Sequence, residues 1–350
     1  MVQAQNVVGG DTSWVMISTA LVLLMTPGLA FFYAGLVRRR NVVNTLMMSF
    51  AALGVVSAVW ALIGYSIAFA PGNAWLGGLD YLGLAGVGLD ASEGSTIPHL
   101  LFMIFQMMFA IIAPALISGA VVGRMKFTSY LVFIGLWSLL VYSPLCHWVW
   151  GGGWLSQQGA LDFAGGTVVH ISAGVSAWVA AWMLGPRRSD ERASEQPHHI
   201  PMTMLGGALL WFGWFGFNAG SALEAGAVAT NALVTTHLAA STALLSWMVL
   251  DLVIKGRTSG VGVAIGAVVG LVTITPAAGF VTPLGAMAMG LLGACCSYAA
   301  MLLLERFSVD DSLDVFAVHG VGGILGTLLV AFLATSTFSG LGLAEGQTAV

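Results

Sequence analysis

Two stretches of this sequence read alike: Asp162-Phe-Ala-Gly-Gly-Thr-Val-Val-His170 and Asp311-Ser-Leu-Asp-Val-Phe-Ala-Val-His319. In both, an aspartate stands eight positions before a histidine, and the histidine lies inside a long apolar run. A helix rises about 1.5 Å per residue, so each histidine is expected about 12 Å along its helix from the aspartate. The stretches therefore predict two matched helices, each with a histidine deep within an apolar segment.

The composition of the whole chain excludes an ordinary soluble domain. Of its 350 residues, 58% are hydrophobic and only 7% are charged, whereas soluble domains carry about 25% charged residues. Disordered chains are charge-rich, and nucleic-acid binding needs a basic surface, so both classes are excluded at a net charge of −4. The three cysteines fall within apolar runs and show neither metal-ligand spacing nor a disulfide framework.

Runs long enough to cross the roughly 30 Å of hydrocarbon in a bilayer occur ten times along the chain. Their approximate bounds are 14–36, 42–69, 98–122, 127–146, 164–184, 202–219, 227–254, 259–275, 279–304 and 314–335. The first run is preceded by Asp11 and is followed by no small-residue cleavage site, so it is interpreted as a span and not as a signal peptide. The predicted fold class is an all-α polytopic membrane protein, with 1–350 forming a single membrane domain.

The basic residues predict the orientation of these spans. All eleven Lys and Arg residues follow odd-numbered runs, at 38–40, 124–126, 187–192, 255–257 and 306. Positive charge in short loops marks the cytoplasmic side of a membrane. The sequence therefore predicts an N-terminus outside the cell and a location in the cell (inner or plasma) membrane.

By this orientation, Asp162 lies at the outer face and Asp311 at the inner face. Half of the hydrocarbon core is about 15 Å, so both histidines are expected near the bilayer centre, approached from opposite sides. This predicts a 5+5 inverted repeat, 12–184 and 202–335, joined by a cytoplasmic loop at 185–201, with a site at the repeat interface. Paired neutral imidazoles suit a small polar molecule, a proton or both. Two alternatives stay open: each histidine bonds only to a neighbouring backbone, or the pair binds a metal, for which no third ligand lies at similar depth.

Longer motifs accompany the two Asp–His stretches in order along the chain. They are Pro27-Gly-Leu-Ala-Phe-Phe-Tyr-Ala-Gly35, Phe105-Gln106 with Pro114-Ala115-Leu116, His147-Trp-Val-Trp-Gly-Gly-Gly153, Trp214-Phe-Gly-Phe-Asn-Ala-Gly-Ser221 and Thr275-Pro276. With these motifs the sequence resembles the ammonium transporter/Rhesus family, and within it the ammonium transporter branch. The resemblance covers essentially the whole chain.

The resemblance implies a homotrimer with a narrow pore in each protomer. It maps an outer ammonium site to two aromatic residues and a hydroxyl: Trp150, Phe109 and Ser221. It maps a stacked gate below that site to Phe109 and Phe217. The pore is then lined by two histidines, a tryptophan and a glutamine: His170, His319, Trp214 and Gln106.

The remaining polar residues are interpreted as structural. Asp162, near the outer vestibule, is expected to cap its helix and to add negative potential that helps recruit a cation. Asp311 is expected to be its counterpart on the inner side. His147 is interpreted as a loop or interface residue outside the pore. No catalytic residue, metal or cofactor is expected.

The function implied by the resemblance is that of a transporter or channel and not of an enzyme. Ammonium is recruited outside, loses its proton, and crosses as ammonia past the paired histidines, with or without the proton. The alternative is an ammonium sensor or receptor coupled to a cytoplasmic signalling output. Expected partners are ammonium or ammonia (with methylammonium as an analogue), the lipid bilayer, and a cytosolic regulator or fused signalling domain; nucleic acid is not expected.

The end of the chain carries one more expectation. Members of the resembled family normally have an eleventh span and a cytoplasmic tail. Ten crossings place 336–350 outside, as an outer C-terminal segment. The natural protein is therefore expected to continue through an eleventh span beyond Val350.

Overall fold

A computed structural model describes residues 7–187, 196–304, 306–307 and 309–335. Over these ranges the chain is built from helices, without named strands. The ten principal apolar helices are Gly9–Leu36 (α1), Arg39–Phe69 (α2), His99–Val121 (α3), Phe127–Gln157 (α4), Gly166–Leu184 (α5), Ile200–Ala222 (α6), Ala227–Lys255 (α7), Gly260–Ile274 (α8), Pro283–Leu304 (α9) and Phe316–Leu333 (α10). The predicted outer segment 336–350 lies outside the described residues.

The predicted all-helical, multi-pass architecture is confirmed. Within the described part of the chain, nine of these helices have at least 18 residues and are apolar enough to cross a membrane. The remaining one, α8, has 15 residues, which at about 1.5 Å per residue is shorter than the hydrocarbon core. It ends at Ile274, and the chain continues through a series of tight turns over residues 275–280.

The fourth helix extends further than the sequence predicted. We expected it to end at Cys146, before the polar side chain of His147, but helix continues to Val149 and, after a glycine turn, over Trp154–Gln157. His147 does not end the helix because it is buried, with its ring nitrogens 3.0 Å from the carbonyl oxygen of Ala68 and 2.8 Å from that of Asn73. The interpretation of His147 as a loop or interface residue is therefore wrong.

Wide helical turns occur in three of the helices that carry candidate pore residues, and also in α2 and α4. Residues Gly166–Ile171 in α5, Phe215–Ala219 in α6 and Phe316–Gly320 in α10 adopt π-helical geometry. Such turns are rare and frequently mark functional sites, since each inserted residue shifts the side chains that follow it around the helix. The π turns of α5, α6 and α10 contain His170, Phe217 and His319.

Glycines allow α5 and α10 to approach closely. A side chain at Gly174 of α5 would collide with the backbone of Gly320 in α10. A Cβ atom at Gly323 of α10 would lie 3.0 Å from the carbonyl oxygen of Gly166 and 3.0 Å from Cβ of His170. Small residues at such crossings let helices pack backbone to backbone in a membrane. The two histidines meet because these helices do.

An ion pair joins the segment that follows α5 to the segment that precedes α10. Arg187 donates from Nε and Nη2 to the carboxylate of Asp310, at 2.7 and 2.6 Å, and its backbone N–H donates to the same group. Arg124 donates to the Asp310 carbonyl oxygen at 2.5 Å. Burial alone would raise the pKa of Asp310, but the hydrogen bonds and charge of Arg187 outweigh it and lower the pKa to about 2.

Replacing Asp310 with asparagine is expected to lower the free energy of unfolding by about 2 kcal/mol near neutral pH. Because the folded-state pKa is lower than the ~3.9 of an unfolded aspartate, the pair stabilises the wild type above about pH 4. That contribution is lost as the pH falls through about 2. Denaturant titration in detergent micelles measures the effect, with the exposed Asp90→Asn as the matched control. Equal stability of the two variants would contradict the prediction.

Candidate functional site

The two histidines lie against each other in the interior of the helix bundle. Nδ1 of His170 is 3.2 Å from Nδ1 of His319, and the rings stack with centroids 5.3 Å apart. Both residues are buried, at 1% and 4% exposure. At such a contact one nitrogen donates and the other accepts, so each neutral ring keeps its second nitrogen for another partner. Nε2 of His170 has no hydrogen-bond partner in the described structure.

Two further rings cover the histidine pair. The indole of Trp214 stacks on His170 with ring centroids 5.5 Å apart and an interplanar angle of 22°. The ring of Phe217 lies 5.9 Å from His170 at 27°. The imidazoles are therefore held between aromatic faces, and rotation of either ring requires its neighbours to move.

The space beside the histidines is narrow and apolar. A cavity of about 20 Å³, here called the pore cavity, is lined by the two imidazoles and by apolar side chains such as Met25, Leu29 and Ile112. A cavity needs about 10–15 Å³ to hold one water molecule. The cavity therefore accommodates a molecule of the size of water or ammonia, and it is too small for an ion with its hydration shell.

Two stacked phenylalanines lie beside this cavity and contact the lining of a wider one. The rings of Phe109 and Phe217 have centroids 4.3 Å apart at 35°, and both residues are 1% exposed. The ring of Phe109 also meets that of Trp150 edge to face, at 6.0 Å. The stacked pair therefore joins a residue that lines the small cavity, Phe217, to one that lines the wider cavity, Trp150.

The wider cavity, here called the outer cavity, has a volume of about 380 Å³. Its lining is mostly aromatic and apolar: Phe102, Phe105, Gln106, Val149, Trp150, Phe163, Ser221 and Leu223. The hydroxyl of Ser221 donates to the carbonyl oxygen of Phe217 at 2.7 Å, which leaves its oxygen free to accept a hydrogen bond. Among the described residues, Oε1 of Gln106 is buried without a hydrogen-bond partner and is a second free acceptor. Phe109, which we expected in this site, is not one of the lining residues; its ring contacts the rings of the lining residues Phe105 and Trp150.

Asp162 caps the start of α5 with both carboxylate oxygens. It accepts hydrogen bonds from the backbone N–H groups of the four residues Gly165–Val168, at 2.6 to 3.2 Å. Burial raises the pKa of Asp162, and the four N–H groups oppose that rise. The Asp162 carbonyl oxygen accepts the indole N–H of Trp150 at 2.8 Å. Asp162 therefore positions Trp150 and His170, and its carboxylate is turned towards the backbone and away from the outer cavity.

Asp311 holds the corresponding place before α10. Its Oδ2 accepts the backbone N–H of Phe316 at 2.7 Å, and burial raises its pKa to about 6. It lines a cavity of about 340 Å³, here called the inner cavity, together with Asp310, Asp314 and Arg187. Among the described residues, no group of three His, Cys, Asp or Glu side chains could hold a metal ion.

Sequence reasoning missed much of the outer cavity. Phe102, Phe163 and Leu223 line it. Phe102 belongs to the apolar run 98–122, where nothing distinguishes a lining residue from a core residue, and Phe163 and Leu223 lie between the predicted runs. Thr275 was quoted only as part of a motif, although its hydroxyl accepts the indole N–H of Trp214 at 2.9 Å. The presence of threonine directly before a proline at the end of a short apolar run was the available signal.

The apolar helices define a multi-pass membrane protein whose interior holds a buried histidine pair beside a small cavity. Its sequence matches the model of the Ammonium Transporter Family over residues 13–348, and the chain belongs to this family. An ammonium transporter from Bacillus subtilis is 50% identical, covering 95% of this chain and 82% of the relative. Ammonium transporter Amt1 from Archaeoglobus fulgidus is 47% identical, covering 95% and 83%.

Solved structures show the same fold. The crystal structure of Saccharomyces cerevisiae Mep2 matches with a TM-score of 0.90 at 36% identity, covering 95% of this chain and 76% of that one. A protein described as a Sensor Amt Protein matches with a TM-score of 0.87 at 30% identity, covering 94% and 84%. The resemblance inferred from the motifs is thereby confirmed at the level of the family, which is one of transporters and not of enzymes.

Proposed function

We propose that this protein transports ammonium, taking up the cation in the outer cavity and passing ammonia along the histidine pair. The observation that carries the proposal is the contact of two buried histidines beside a cavity that holds one small molecule, below a gate of two phenylalanines. The membership of the chain in the Ammonium Transporter Family supports the choice of substrate.

Recruitment takes place in the outer cavity. The indole of Trp150 offers an aromatic face, and a cation over such a face gains about 0.5–2 kcal/mol. The oxygen of Ser221 and Oε1 of Gln106 accept N–H groups of the ion, which an alkali cation does not possess. Phe109 contributes by its edge contact with Trp150 and as the upper part of the gate.

The narrow path then selects the neutral form. A charge at the centre of a bilayer costs at least about 2.5 kcal/mol even on lenient scales, and the pore cavity has no charged lining residue. Ammonium therefore gives up its proton at or below the gate, to water of the outer cavity or to an imidazole of the pair, and crosses as ammonia. The proton then either returns to the outer side or follows along the imidazoles; an ammonium-induced current on a solid-supported membrane distinguishes the two.

Replacing Trp150 with leucine is expected to raise the ammonium concentration for half-maximal transport about tenfold, because the cation loses its aromatic face. The maximal rate is expected to change much less, since the gate and histidines are untouched. The matched control is Trp148→Leu, because Trp148 packs against Trp75 and Trp154 and does not line the outer cavity. An equal shift in both variants would contradict a specific role of Trp150.

The second candidate function is that of an ammonium sensor coupled to a cytoplasmic output. The similarity to the Sensor Amt Protein favours it. Uptake of radiolabelled methylammonium into proteoliposomes separates the two functions. A transporter accumulates the label down its gradient, whereas a sensor that only binds shows saturable binding without uptake.

The assembly and topology belong to the same proposal. The protein is a homotrimer in the cell membrane with its N-terminus outside and one pore per protomer. Residues 1–350 form one membrane domain, in which repeats 12–184 and 202–335 are inverted copies joined by the cytoplasmic loop 185–201. The caps at Asp162 and Asp311, each eight residues from a histidine at the shared contact, support the inverted repeat. Cross-linking in native membranes tests the trimer.

A further inference from the structure

We propose that Thr275 is a positioning residue of the pore, whose hydroxyl holds the indole of Trp214 flat against His170. The proposal rests on the transport function proposed above. The side chain of Thr275 does not line the pore cavity, but it forms a hydrogen bond with Trp214, which does. Thr275 is completely buried and follows directly after α8.

The hydroxyl of Thr275 makes two hydrogen bonds, one as donor and one as acceptor. It donates to the carbonyl oxygen of Leu271 at 2.7 Å. It accepts the indole N–H of Trp214 at 2.9 Å. The first bond fixes the hydroxyl to α8, and it directs a lone pair at the indole. Since an indole has a single N–H donor, this bond determines how the Trp214 ring is turned.

The orientation of Trp214 in turn determines the histidine stack. The indole lies on His170 at an interplanar angle of 22°, and His170 lies on His319 at 26°. Trp214 also lines the pore cavity, which has a volume of about 20 Å³. In a space of this size, a small rotation of the largest lining side chain changes whether one molecule fits.

The next residue anchors Thr275 to the remaining pore helices. The carbonyl oxygen of Pro276 accepts the N–H of Phe163, which lines the outer cavity, at 3.1 Å. The Pro276 ring packs where Gly166 of α5 and Gly326 of α10 have no side chain, since a Cβ atom at Gly326 would lie 2.9 Å from Cγ of Pro276. The Thr275-Pro276 pair therefore contacts the helices of both histidines and, through Trp214, the helix of the gate.

The test compares two variants that lack the hydroxyl of Thr275 with one variant that retains it. Thr275→Val replaces the hydroxyl with a methyl group and leaves the indole N–H of Trp214 buried without an acceptor. Thr275→Ala removes both the hydroxyl and the methyl group, and it takes the place of the valine variant if that variant does not fold. Thr275→Ser retains the hydroxyl. Thr45→Val is the matched control, because Thr45 is a buried threonine in α2 whose hydroxyl, among the described residues, donates to the Asn41 carbonyl oxygen and bonds to no pore residue.

Methylammonium uptake into proteoliposomes is measured per folded protein, as judged by size-exclusion chromatography. The maximal rate is expected to fall about tenfold in Thr275→Val or Thr275→Ala and to stay within about twofold of the wild type in Thr275→Ser. The half-saturating concentration should not change, since Trp150 and Ser221 are untouched. A wild-type rate in the valine and alanine variants, or a serine variant as slow as valine, would overturn the proposal. A wild type without uptake would instead overturn the transport function.

Discussion

Replacing both His170 and His319 with alanine is expected to reduce ammonium transport about 100-fold, to the level of empty liposomes. Apart from the two imidazoles, the polar groups of the residues that line the pore cavity are the Tyr33 hydroxyl and the Trp214 indole N–H, and both already donate to other groups of the protein. Without the imidazoles, ammonia loses its main hydrogen-bond partners, and burying a polar group in this way costs about 2–7 kcal/mol. Uptake of radiolabelled methylammonium into proteoliposomes measures the loss whether or not the proton follows.

The control for this experiment is His237→Ala. His237 lies on α7, is exposed on the surface of the protomer, and lines none of the three cavities described. Its replacement is expected to leave transport unchanged. Wild-type flux in the His170→Ala/His319→Ala double variant would show that the histidine pair is not the conducting element.

Replacing Asp162 with alanine is expected to lower the free energy of unfolding by about 4 kcal/mol, because four buried or half-buried N–H groups lose their acceptor. Transport should fall with it, since the cap holds the start of α5 and its backbone carbonyl holds Trp150. Denaturant titration and methylammonium uptake of the same preparations measure both effects. Asp162→Asn keeps one acceptor oxygen and is expected to lie between alanine and the wild type.

The control for Asp162 is Asp80→Ala, which removes an exposed carboxylate from the segment between α2 and α3. It is expected to change stability by less than about 0.5 kcal/mol. If Asp162→Ala proved as stable as this control, the carboxylate would not be the cap that the four hydrogen bonds describe.

The features predicted from the sequence are those that depend on spacing along a single helix. The distance from Asp162 to His170 is eight residues, and that spacing alone places a cap at one end of α5 and an imidazole well inside the bundle. The same holds for Asp311 and His319. The bilayer requires about 20 apolar residues per crossing, so the helices themselves could also be predicted from the sequence.

The features that the sequence did not reveal depend on contacts between distant segments. Thr275 and Trp214 are 61 positions apart, and nothing in either helix alone pairs a hydroxyl with that indole. His147 bonds to carbonyl oxygens 79 and 74 positions away, which is why it lies in the interior. The lining of the outer cavity likewise draws on several helices, and in an apolar run a phenylalanine that lines a cavity reads like one that fills a core.

The most direct test of the account compares ammonium with potassium in reconstituted wild-type protein. Potassium is a cation of similar size that cannot lose a proton, so it separates passage of a charge from passage of ammonia. Concentration jumps of each ion are applied to proteoliposomes on a solid-supported membrane, with methylammonium uptake measured in parallel. The account predicts methylammonium uptake by the wild type, no potassium current, and a potassium current only when His170→Asp adds a charge to the path. A potassium current in the wild type as large as that of His170→Asp would contradict it.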